Sequence, residues 1–151
     1  MNNGRAAFMR LFYFRFATEM KIKTVHFIPA IIWFIIANIL FLMPGSDVPT
    51  ISFLDEIYFD KWVHAGLFCG LTFLTAYPFI ISQHFTKKLL IKIAIAFSLY
   101  GVLIEFMQKY WATQRDFDIT DIIADATGCF IGYLFTNWFI RRRLAKKNKP
   151  L

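Results

Sequence analysis

Thr24 to Ser46 is a run of 23 residues without a formal charge. Its core, Val25 to Met43, matches the ~20 apolar residues that a helix needs to cross a bilayer. Once one such run is present, the other apolar stretches read as companions to it. Trp62 to Thr86 is a second charge-free stretch, with its spanning part near 65–81. Leu89 to Met107 is a third, interrupted only by Lys92 near its start and Glu105 near its finish, and Ile122 to Ile140 is a fourth, with Asp125 one turn inside. The expected fold is therefore all-α, a four-helix transmembrane bundle with spans at about 25–43, 65–81, 89–107 and 122–140. Composition agrees, since 58% of the residues are hydrophobic, 19% aromatic and only 18% charged. A soluble domain of this size has no place to hide that apolar excess.

The net charge of +7 would suggest nucleic acid if it were spread over a polar surface. It is instead blocked beside the apolar runs, which excludes a nucleic-acid partner in favour of membrane topology. Residues 1–24 hold five Lys and Arg, the connection after the second span holds Lys87 and Lys88, and the tail 141–151 holds six. The opposite side holds only Lys61, Lys109 and Arg115, with nine of the ten carboxylates. Basic residues are retained on the cytoplasmic side, so both termini are expected there. Within 1–24, Phe8, Phe12 and Phe16 recur every four residues among arginines. This pattern suits either an interfacial helix or upstream sequence before Met20. Cys69 and Cys129 lie in apolar runs without metal-ligand spacing, and no feature sets an oligomeric state.

In this topology the second span starts, the third ends and the fourth starts at one depth. Gathered there are Asp60, Lys61 and His64; Glu105 and Gln108; and Arg115, Asp116, Asp118, Asp121 and Asp125. Ser98, Gly101, Glu105 and Gln108 share one helical stripe, and Asp121, Asp125, Gly128 and Gly132 share another. Glycines on the acidic stripe let a neighbouring helix come close, which turns the acids toward the bundle, with Gly128 and Gly132 as packing positions. Carboxylates at i and i+4 repel, and Glu105 adds a third. Arg115, His64 and Lys61 are the available counter-charges, and a protonated carboxylate or a divalent cation among the oxygens are the alternatives. Bland roles exist beside these: a helix cap for Asp118, an interfacial position for His64, simple neutralisation for Arg115 and helix bridging for Gln108. An acid inside a membrane is costly and is by default a functional residue, which makes Glu105 and Asp125 the leading candidates, with His64 as proton partner. No cofactor motif accompanies them.

The pieces DKWVH at Asp60–His64, E-x-x-Q at Glu105–Gln108, and Arg115 followed by D-I-x-A-D-x-x-G at Asp121–Gly128 together resemble the VanZ-like family of small bacterial membrane proteins. Phe68, Thr113 with Gln114, and Asp125 stand where that family more often has Tyr, Pro and Asn. The resemblance implies a multi-pass protein of the bacterial plasma (inner) membrane acting in the cell envelope. Its founding member is associated with low-level resistance to teicoplanin, a link that does not transfer to every member. The function expected on these grounds is an outward-facing polar site that binds a lipid headgroup, a lipid-linked envelope precursor or a glycopeptide. The alternatives are a membrane-embedded acid/base enzyme acting on such a headgroup and a small proton-coupled exporter.

Overall fold

The computed structural model describes residues 22–44, 58–113 and 115–147, with side chains to 144. The aromatic N-terminal segment, through residue 21, lies outside the described residues. Among the described residues there are four α-helices: α1 (Ile28–Phe41), entered through a short 3-10 turn at Thr24–Phe27, α2 (Phe59–Ile81), α3 (Lys87–Trp111) and α4 (Ile119–Lys147). All four, counting α1 with its 3-10 turn, are long and apolar enough to cross a membrane.

Local chemistry sets the helix ends. Pro29 stands in the first turn of α1, where a missing N–H costs nothing. Thr86 caps α3 by accepting from the Leu89 N–H at 3.1 Å. Pro78 lies inside α2 just before its end, and Ser82 closes that end with its hydroxyl on the Pro78 carbonyl at 2.7 Å. Two boundaries differ from the charge-free runs. Helix α2 begins at Phe59, so Asp60, Lys61 and His64 occupy its first two turns instead of preceding it. Helix α4 continues through the basic run, where the Arg142 guanidinium lies 4.3 Å above the Trp138 ring.

Helices α2 and α4 form the most extensive contact, with α3 against α4 and α1 against α2. Gly128 makes the α2–α4 approach feasible, because a Cβ there would collide with the Ala65 carbonyl oxygen. At Gly132 a Cβ would stand 2.8 Å from the Cys69 carbonyl. Phe41, Leu67, Phe68, Leu71 and Ile104 fill the centre between the helices. Asn38 ties α1 to α3 by accepting from the Tyr100 hydroxyl at 2.7 Å. Outward, Ile35, Leu99, Ile123 and Leu134 are at least half exposed, so the bundle presents apolar faces on several sides.

Candidate functional site

The first turns of α2, the last turns of α3 and the start of α4 converge at one end of the bundle. Each residue there is placed by its helix period: His64 one turn after Asp60, Glu105 almost two turns before the end of α3, and Asp125 one turn below Asp121, a step of ~6 Å. His64 is 3% exposed, Asp121 6%, Gln108 1%, and Glu105 and Asp125 are wholly buried. Ionisable groups this deep survive only when they are paired, protonated or bound to a cation.

Lys61 makes the outermost layer. Its Nζ lies 2.6 Å from Asp118 Oδ2, 2.7 Å from Asp121 Oδ1 and 3.0 Å from Asp60 Oδ2. An ammonium has three N–H donors, and three carboxylates surround this one. Hydrogen bonds from Lys61 and Thr120 hold the Asp118 carboxyl down at about 2. The next layer is His64, whose Nδ1 is 2.9 Å from Asp125 Oδ1. An ionised Asp125 can only accept, so Nδ1 carries the hydrogen and Nε2 is turned toward Asp121 Oδ2, 4.0 Å away. Asp125 fits because α3 offers Gly101 opposite it, where a Cβ would come within 2.6 Å of Oδ2. The Phe41 ring closes the inner side of the imidazole with ring centroids 4.7 Å apart.

Glu105 enters from α3. Its Oε2 accepts the backbone N–H of Asp118 at 2.9 Å, while Oε1, buried, has no hydrogen-bond partner among the described residues. Asp118 is the N-cap of α4, accepting from the Thr120 N–H at 2.7 Å. In a capping box its own N–H would be taken by the residue at N3, Asp121. Glu105 from another helix supplies that acceptor instead, and Asp121 is released to face Lys61 and His64.

The remaining candidates stand apart from this network. Gln108 donates to the Phe41 carbonyl at 2.9 Å, satisfying a carbonyl that the end of α1 leaves open. Asp116 is exposed, and Arg115 is partly buried with its Nε unpartnered and no ion pair among the described residues. Of the three counter-charges expected, Lys61 and His64 stand among the acids. Sequence reasoning missed Asn38, Tyr100 and Trp33, whose Nε1 donates to the Leu67 carbonyl at 3.0 Å. A lone amide in the middle of an apolar span was the available signal for the first of these.

Five carboxylates (Asp60, Glu105, Asp118, Asp121 and Asp125) thus share one ammonium and one imidazole. Such a group is a strong attractor for positive charge. No family model matches the chain, and no solved structure matches it. An uncharacterized protein of the fission yeast Schizosaccharomyces pombe is 30% identical over 134 residues, which cover 89% of this chain and 74% of the yeast protein.

Proposed function

The chain belongs to the same family as that fission-yeast protein, and from this footing we propose an integral membrane protein that binds a zwitterionic lipid headgroup at the acidic end of its bundle. The distribution of Lys and Arg supports four spans with both termini cytoplasmic and the acidic end on the far side. The VanZ-like resemblance stands beside this reading. Kinship with a eukaryotic protein favours a headgroup common to bacterial and eukaryotic membranes over a bacterial wall precursor or a glycopeptide, and it leaves the host membrane wider than a bacterial inner membrane.

One observation carries the proposal: five carboxylates with a single ammonium and imidazole, held by three helix ends at the edge of a spanning bundle. A headgroup ammonium meets the rim acids Asp60 and Asp118, which are 49% and 42% exposed, and its phosphate meets the guanidinium of Arg115, which makes no ion pair among the described residues. To test this, protein in mild detergent is offered phosphatidylethanolamine or phosphatidylglycerol, and the retained lipid is read by native mass spectrometry. Preferential retention of phosphatidylethanolamine, reduced several-fold by Arg115→Gln, is the expected result. Equal retention of both lipids, or indifference to the substitution, would remove the headgroup reading.

Acid/base chemistry at the same place is the second reading, favoured by the 2.9 Å His64–Asp125 pair. It requires a modified headgroup after incubation with membrane lipids, and the absence of any product would count against it.

A further inference from the structure

We propose that His64, Glu105 and Asp121 bind a divalent transition-metal ion. The inference stands on side-chain geometry and does not rest on the headgroup reading. One potential ligating atom from each of the three lies within 4.8 Å of the others, and all three residues are buried. Two metal bonds of ~2.1 Å span at most ~4.2 Å, so carboxylate movements of about 0.6 Å complete the site. The 4.0 Å between His64 Nε2 and Asp121 Oδ2 is too long for a hydrogen bond and already within that span.

The way each ligand is held is the second line of argument. His64 uses Nδ1 on Asp125, leaving Nε2. Asp121 uses Oδ1 on Lys61, leaving Oδ2 facing Nε2. Glu105 uses Oε2 on the Asp118 N–H, leaving the buried Oε1 without a partner. Three side chains from three helices are each oriented by one atom and keep a second one free. Metal sites are built this way, with a carboxylate fixing the far nitrogen of a ligating histidine. A purely structural ion-pair network would have used the remaining atoms as well.

Ligand chemistry selects the metal. An imidazole nitrogen disfavours magnesium and calcium, and a nitrogen with two carboxylates suits the zinc and manganese class, within which zinc binds more tightly. Three protein ligands leave a position for water or a phosphate oxygen. The ion's two charges also offset the carboxylate excess. Its way in is through the Lys61, Asp60 and Asp118 layer, where Lys61 is 21% exposed at the side chain.

The experiment uses the full chain purified in detergent, stripped with a chelator and loaded with Zn²⁺ alone, Mn²⁺ alone or Mg²⁺ alone. One equivalent of zinc should bind and raise the melting temperature as its concentration rises, while Mg²⁺ has no effect. Glu105→Gln should weaken zinc binding by roughly 100-fold or more, Asp125→Asn by roughly 10- to 100-fold because it acts through His64, and Asp116→Asn, at an exposed position apart from the network, not at all. Wild type with identical melting temperatures stripped and loaded overturns the site without recourse to any variant. So does zinc uptake that survives both Glu105→Gln and His64→Asn. A melting temperature that follows pH and ignores metal would give the site to protons instead.

Discussion

The two ends of the bundle are held by different physics. At the end away from the acids, Phe73 of α2 packs edge-on against Phe135 and Phe139 of α4, with centroids 5.0 and 5.5 Å apart, and Ala76, Leu90 and Ile93 close the core. Its hydroxyls stay within their own helices: Thr136 bonds the Gly132 carbonyl and Ser82 the Pro78 carbonyl. At the acidic end the polar contacts cross between helices, as in Lys61 to Asp118, His64 to Asp125 and Glu105 to Asp118. Lipid is as apolar as a side chain, so burial alone gives helices little reason to choose one partner over another. Shape holds the apolar end, whereas charge decides which helix face meets which at the other.

That contrast breaks most readily at His64. His64→Leu strands a buried Asp125 carboxylate and should cost about 3 to 5 kcal/mol in detergent melting experiments. Adding Asp125→Leu removes the stranded charge and should recover much of the loss; equal loss in the double variant would mean that the pair does not set the specificity of this end. At the apolar end, Leu90→Ala should cost about 2 kcal/mol, the lower part of the usual range, because lipid rather than water is the competing environment. A larger loss than at His64 would invert the comparison. The smallest effect belongs to Asp118. Its carboxyl sits at about 2 against an ordinary 3.8, so its pairing stabilises the fold above about pH 4 and is lost as pH falls toward about 2. Wild type and Asp118→Asn should differ in melting temperature near neutral pH, by an amount worth less than about 1 kcal/mol at this exposed group, and converge in strong acid.

Much of the fold was legible because the bilayer length rule needs only long apolar runs with few charges, and four were present, two of them charge-free. The ends of the helices were not, since a rule that stops at the first charge cannot place Asp60 and Lys61 inside α2. The grouping of the site residues followed from depth alone: helix ends at one level bring their polar residues together. Their pairing did not follow, because it depends on rotation and reach. Lys61 projects from the first turn of α2 onto the start of α4, while Arg115 precedes α4 in the chain and turns elsewhere. The capping role of Glu105 was equally hidden, because the residue that completes the α4 cap lies thirteen positions upstream, on a different helix.

The bonds that cross from α2 to α4 join residues about sixty positions apart, 57 for Lys61 with Asp118 and 61 for His64 with Asp125. Synthesis delivers α4 after the other three helices, and α4 is the least apolar of the four. Until it arrives, Lys61 and His64 lack these two carboxylate partners, and an α4 without α2 would carry its acids uncompensated. A chain cut short before α4 would therefore lack the acids that pair with Lys61 and His64, and would differ from the complete bundle in charge balance as well as in packing.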